Sequence, residues 1–139
     1  MNEHWGLIEF PNIGDKGKGF LVPAEAFTGV PFPIARAYWI HHWDRGHPRV
    51  GHAHTRIQQI FFCLQGEVEC HVRFGDGPAT LYRLKKPHEG LWTGPLVWLD
   101  MQPQSRDTIL LVLASGRHDE GEYIRTWEGY KALFPVVAS

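Results

Sequence analysis

The stretch Gly46–Gly66, GHPRVGHAHTRIQQIFFCLQG, places two histidines, His52 and His54, ahead of an apolar run that stops at Gln65-Gly66. Residues at i and i+2 of a strand point to one side, so the two imidazoles share a face. The run IFFCL (60–64) is continuously apolar, a strand signal. Beyond Gln65-Gly66, EVECHVRF (67–74) alternates Val68, Cys70, Val72 and Phe74 with Glu67, Glu69, His71 and Arg73. One face is apolar and the other polar, a half-buried strand. With Gln65-Gly66 as a tight turn, this pattern predicts a β-hairpin over 57–74.

Strand signals continue outward from there. GDGP (75–78) turns the chain into ATLYRL (79–84). PLVWLDM (95–101) and TILLVLAS (108–115) read as two further strands separated by the polar QPQSRD (102–107). FLVP (20–23) and IARAYWIHHW (34–43) supply strands on the N-terminal side. Only the end reads as helical. Asp119–Phe134 has acidic residues first and a spaced set of Tyr123, Ile124, Trp127, Tyr130 and Phe134. The chain has no linker, low-complexity tract or long internal repeat. Short strands with Gly/Pro turns predict an all-β domain, a sandwich or small barrel, over residues 1–139.

Composition narrows the function classes. A chain of 139 residues is one domain by the usual prior and can bury roughly two thirds of its unfolded surface. The net charge is −1 and no basic block occurs, so nucleic acid is not an expected partner. No apolar run approaches the ~20 residues of a membrane span. The start, MNEHWGLIEFPNIG, lacks the pattern of a signal peptide. Cys63 and Cys70 lie in or beside apolar strands without a C-x-x-C, which reads as buried free thiols and a cytoplasmic protein.

The spacing of the opening stretch matches G-x5-H-x-H-x4-E-x6-G, the first pattern of the cupin jelly-roll barrels, with Gly46, His52, His54, Gln59 and Gly66 in register. The glutamate has become Gln59. In the second cupin pattern, matched by GLWTGPLVWLDM (90–101), Trp98 stands where a final histidine is expected. A mononuclear catalytic metal usually has at least three protein ligands. His52 and His54 supply two, Gln59 is a weak neutral donor and an indole cannot ligate. No metal is expected.

The stretches IARAYWI, RVGHAHT, QQIFFCLQG, GLWTGPLVW and LVLASGRHDEGEYIR together resemble the sugar nucleotide 3,4-ketoisomerases, the WxcM-like cupins, over about residues 15–130. The resemblance implies a cupin jelly-roll barrel with a short C-terminal helix. It also implies a homodimer, a dTDP-linked keto-deoxysugar as substrate, and isomerisation of dTDP-4-keto-6-deoxyglucose to its 3-keto isomer in deoxysugar biosynthesis. The chain departs from the family pattern in places. Arg49-Val50-Gly51-His52 displaces the usual glycine, Thr55 replaces a lysine, Lys18 stands at an arginine or tyrosine position, and the usual Tyr-Tyr is Tyr38-Trp39.

The residues suit that chemistry. Moving a ketone from C4 to C3 removes the proton α to the carbonyl, passes through an enediol and returns a proton to C4. Imidazole is the natural base near neutral pH. No hydride leaves, so no nicotinamide or other cofactor is expected. The family implies His52 as the C3 base with His54 as its partner. Tyr38 is a candidate to hydrogen-bond the sugar oxygens. Arg49, Arg36 and Lys18 are candidates for the pyrophosphate, since guanidinium forks match phosphate oxygens. Gln59 and Trp98 are further candidate substrate contacts. A 3- or 5-epimerase, which needs an acid on the opposite ring face, and a non-catalytic sugar-nucleotide binder are the alternatives.

Overall fold

The alternating stretch Val68–Phe74 forms a strand whose Val68, Cys70 and Val72 are completely enclosed while His71 is exposed. Its neighbours are set out in the computed structural model, which describes residues 2–134. In chain order the strands are β1 (Trp5–Glu9), β2 (Ile13–Asp15), β3 (Gly19–Leu21), β4 (Glu25–Ala26), β5 (Gly29–Val30), β6 (Arg36–Ile40) and β7 (Arg49–His54). They continue as β8 (Gln59–Gln65), β9 (Val68–Phe74), β10 (Thr80–Leu84), β11 (Glu89–Thr93), β12 (Val97–Pro103), β13 (Ile109–Ala114) and β14 (Tyr123–Ile124), followed by the helix α1 (Trp127–Lys131). Two antiparallel five-stranded sheets result, one ordered β1-β11-β8-β13-β6 and the other β10-β9-β12-β7-β14. The ladders β2–β3 and β4–β5 stand apart from them.

From β6 onward the chain changes sheet at every connection except β9–β10. That back-and-forth winding makes the all-β jelly roll, here an open sandwich of two sheets. It also corrects the hairpin expected over 57–74. β8 pairs with β11 and β13, while β9 pairs with β10 and β12. Gln65-Gly66 is a corner between sheets. Gly66 has φ +79°, and a Cβ there would lie 2.6 Å from the Thr108 hydroxyl. Local turn chemistry is the same for a hairpin and a corner; the partner strands decide.

The main core fills the space between the sheets. Phe61, Cys63, Leu91, Leu110 and Val112 face Val68, Cys70, Val72, Leu84, Val97, Leu99 and Met101. Both cysteines are buried and unpaired. The opposite faces are covered too. Ile60, Phe62 and Leu113 pack under Phe10, Val30 and Phe32 from the N-terminal segment. This two-sided burial explains why 60–63 is continuously apolar, while Leu64 at the end of the run is exposed.

The outer face of the second sheet carries Ala53 and Trp98 beneath Tyr130, with Ile124, Trp127 and Phe134 packed alongside. The Tyr130 hydroxyl donates to the Leu96 carbonyl (2.7 Å) and accepts from the Gly75 N–H (2.8 Å), fixing the helix in place. The helix expected over 119–134 is shorter. Glu120–Glu122 is one 3₁₀ turn, and Tyr123-Ile124 pairs with His54-Ala53. Only Trp127–Lys131 is α-helical, capped by the Thr126 hydroxyl on the Gly129 N–H. The open edge of β7 offers hydrogen-bonding groups that compete with the helix for these residues, and Gly121 and Gly129 weaken the helical alternative.

Candidate active site

β7 and β6 carry the site from opposite sheets. Register on β7 shifts between Leu99↔His52 and Met101↔Arg49, a bulge that places one extra residue opposite β12. Gly51 occupies it with φ +65°, its N–H on the Asp100 carboxylate (2.5 Å). A Cβ there would meet Trp98 at 2.7 Å, so only glycine fits. The bulge aims His52 and His54 inward, while Ala53 between them faces Trp98 and α1. The two rings are 5.7 Å apart and nearly perpendicular, at 86°. Tyr123 on β14 lies against His54 at 4.5 Å and 6.2 Å from His52.

A cavity of about 480 Å³ opens beside them, lined by Arg36, Tyr38, Arg49, His52, Tyr123 and Arg125 among others. Among the described residues no carboxylate is in that lining, whereas three guanidinium groups and His118 are. Arg36 stacks on Tyr38 (4.4 Å) and Arg125 on Tyr123 (4.1 Å), so each cation is held against an aromatic wall. Glu120 pairs with both Arg125 (3.0 Å) and His118 (3.3 Å).

Electrostatics keep both histidines neutral. Burial pushes His52 down from 6.5 to about 4, helped by His54, Arg125 and Arg49. Burial likewise takes His54 to about 4; Glu122 opposes the shift, and Arg125, Arg36 and His118 reinforce it. His54 is 6% exposed, and neither of its ring nitrogens has a hydrogen-bond partner among the described residues. Buried polar atoms are almost always paired, so a partner belongs in the cavity. Burial raises the Tyr38 phenol, with Tyr123 adding to it, so the phenol stays protonated at neutral pH.

The predicted site residues separate into two groups. His52, Tyr38, Arg36 and Arg49 line the cavity, and His54 adjoins it. Gln59, Trp98 and Lys18 are placed elsewhere in this chain. Gln59 is buried behind the cavity with its amide on the Tyr38 hydroxyl (2.9 Å). Trp98 points to the outer face, against Trp127 (5.4 Å) and Tyr130 (5.1 Å), because its neighbours Val97 and Leu99 take the inner positions. Lys18 lies in the exposed β2–β3 turn, its N–H on the Asp15 carboxylate (2.8 Å). Tyr123, Arg125 and His118 line the cavity in addition to the predicted residues. The spacing over 119–134 predicts a helix, which hides the pairing of Tyr123 with His54, and His118 lies just before that stretch.

A cupin metal does not fit these side chains. No group of three His, Cys, Asp or Glu able to hold an ion exists among the described residues. Gln59 is engaged with Tyr38, and Trp98 faces outward.

Known proteins resemble the chain over nearly its whole length. A TDP-4-oxo-6-deoxy-α-D-glucose-3,4-oxoisomerase from Aneurinibacillus thermoaerophilus is 38% identical over 132 residues, covering 94% of this chain and 93% of the relative. The 3,4-ketoisomerase QdtA from Thermoanaerobacterium thermosaccharolyticum, solved in complex with TDP, superposes with a TM-score of 0.89 at 37% identity, covering 96% of each chain. WlaRB, a TDP-quinovose 3,4-ketoisomerase from Campylobacter jejuni, gives a TM-score of 0.88 at 30% identity, covering 94% of this chain and 99% of that one. The family model described as FdtA, WxcM-like, C-terminal, matches residues 3–134. Nearly the whole described chain, including β6, β7 and β14, falls within that match: the chain belongs to the FdtA (WxcM-like, C-terminal) family.

Proposed function

We propose that the protein is a TDP-sugar 3,4-ketoisomerase that converts a TDP-4-keto-6-deoxyhexose to its 3-keto isomer in deoxysugar biosynthesis. The observation that carries this reading is the pair of neutral, inward-facing histidines. Among the described residues His54 has no hydrogen-bond partner, and the pair stands at a cavity walled by cations, with His52 in its lining and His54 adjoining it. Relatives at 30–38% identity are named for this reaction, which favours it over epimerisation.

The reaction moves one hydrogen from C3 to C4 and one proton from O3 to O4. C3 is oxidised and C4 reduced by the same electron pair, so no external redox partner is needed. His52 takes the C3 proton. As it does so, charge develops on the C4 oxygen, and the protonated Tyr38 phenol stabilises it as a donor. His54 exchanges the oxygen-bound protons. Protonated His52 delivers its proton to C4 on the chosen ring face, which completes the turnover. Arg36, Arg49 and Arg125 hold the diphosphate. The positive lining also raises the local concentration of the anionic substrate.

Assembly and location follow as parts of the same proposal. Ile13, Phe20, Leu21, Phe27, Trp39 and Val50 are more than half exposed, apolar side chains of the kind a second copy would cover. We therefore assign a homodimer. Two buried free thiols suit the cytoplasm. No helix among the described residues is long and apolar enough to cross a membrane.

Incubating the purified protein with TDP-4-keto-6-deoxyglucose and following the sugar by NMR tests the activity. A new 3-keto product is expected. An epimer at C3 or C5 with the ketone still at C4 would transfer the assignment to an epimerase.

A further inference from the structure

The contact between Gln59 and Tyr38 has a direction. We infer that Gln59 is a positioning residue that orients the Tyr38 hydroxyl, so that the phenol proton points into the cavity and is donated to the substrate ketone oxygen. This inference rests on the isomerase reading, which puts a sugar beside Tyr38.

The two residues flank β13 on the inner face of one sheet. Tyr38 pairs with Val112, and Gln59 with Ala114. Ala114 carries only a methyl group between them, so the Gln59 amide reaches diagonally to the phenol. Nε2 of Gln59 donates to the Tyr38 oxygen at 2.9 Å. A phenol has one O–H to give and accepts through the same oxygen. The amide occupies the accepting side. Among the described residues no protein group accepts the phenol proton, and the ring borders the cavity. The free direction of the O–H is therefore toward substrate. Gln59 is 2% exposed, so water does not compete for the amide.

The residue type matters as much as the place. A glutamate at 59, as the cupin pattern carries, can only accept when ionised. It would draw the phenol proton back toward β8 and turn a donor away from the developing oxyanion. Glutamine has nearly the same shape with the opposite polarity at Nε2. The position that serves metal binding in the cupin pattern here directs an acid.

Two variants test this, assayed in EDTA so that the introduced carboxylate cannot recruit a metal. Gln59→Glu should lower kcat by roughly 10²-fold, the usual loss of one donor to an oxyanion, while TDP binding stays near wild type. In a Tyr38→Phe background the same change should cost almost nothing further, because the group it acts through is gone. Full kcat in Gln59→Glu, or an equal loss with and without Tyr38, would overturn the inference.

The second variant is independent of turnover. Gln59→Met removes a donor to the phenol oxygen and leaves Tyr123, Arg36 and Arg49, the other groups acting on Tyr38, unchanged. Titration of the Tyr38 ring by ¹³C NMR should show its ionisation at higher pH in Gln59→Met; a shift to lower pH would mean that the amide accepts. Failure of the wild type to convert the keto sugar would instead count against the isomerase reading, with this titration still deciding the polarity.

Discussion

The imidazole planes of His52 and His54 cross at 86° with their centroids 5.7 Å apart. Perpendicular rings at that distance address different atoms of one ligand. A single sugar can present a carbon-bound proton to one ring and an oxygen-bound proton to the other. The bulge at Gly51 sets this relationship, and β14 backs it through Tyr123.

The first prediction concerns metal. Exhaustive EDTA treatment should leave kcat unchanged, since Gln59 is engaged with Tyr38 and Trp98 is turned outward. Loss of activity on chelation, restored by one divalent ion, would contradict this.

The second concerns pH and rate. In the free protein burial holds the His52 and His54 imidazoles down at about 4. The kcat/KM profile, which reports the free enzyme, should therefore stay flat well below pH 6. A bound diphosphate offsets the arginines that depress the rings, so the acid limb of kcat should lie at higher pH than that of kcat/KM. Coincident limbs near 6.5 would refute the electrostatic description.

Stability carries the same signature. Each ring binds a proton more weakly when folded than when unfolded. Between pH 6.5 and about 4 the unfolded chain takes up more protons, and stability falls as pH falls. The slope is at most about 1.4 kcal/mol per unit for each ring. His52→Asn and His54→Asn should each flatten urea-measured stability across that window; an unchanged slope would argue against buried neutral histidines.

Glu122 gives the fourth. Burial works against its charge, yet N–H donors of Arg56 and Ile57, the Thr55 side chain and the Arg56 guanidinium hold it at about 2. Its backbone oxygen also accepts from the Thr55 N–H (3.1 Å). This carboxylate ties the end of β7 to the start of β14. Glu122→Ala strands buried donors and should cost roughly 3 kcal/mol, read as a lowered urea midpoint. Its own contribution is present above pH 4.5 and is lost as pH falls toward 2. A neutral outcome for Glu122→Ala would show that the clamp is dispensable.

Sedimentation supplies the fifth. At micromolar concentration the protein should run as a particle of twice the 15.9 kDa chain. A single species at the chain mass would contradict the homodimer.

Much of this was legible in the sequence because the periodicities are local. The alternation in 68–74 and the His52/His54 pair have the predicted faces, and the apolar run is buried from Ile60 to Cys63 with Leu64 exposed. What stayed hidden depends on partners distant in the chain. Gln65-Gly66 has the chemistry of a hairpin turn, yet its flanking strands belong to different sheets. Tyr123 fits a helical stripe, but pairing with His54 turns it into a wall of the site. Trp98 occupies a motif position whose face is fixed by Leu99 opposite His52, which places the indole outside. Gln59 and Tyr38 are 21 residues apart, and only β13 between them shows that they meet.

The most direct test of the central claim is solvent exchange at C3. TDP-4-keto-6-deoxyglucose in deuterated water, followed by NMR, reports the carbon acid separately from turnover. His52→Asn should nearly abolish C3 exchange and lower kcat by about 10²–10⁴-fold, the usual contribution of a general base, with TDP binding nearly intact. His54→Asn should slow turnover while C3 exchange remains measurable. Exchange that persists in His52→Asn and vanishes in His54→Asn would contradict the assignment of His52 as the base.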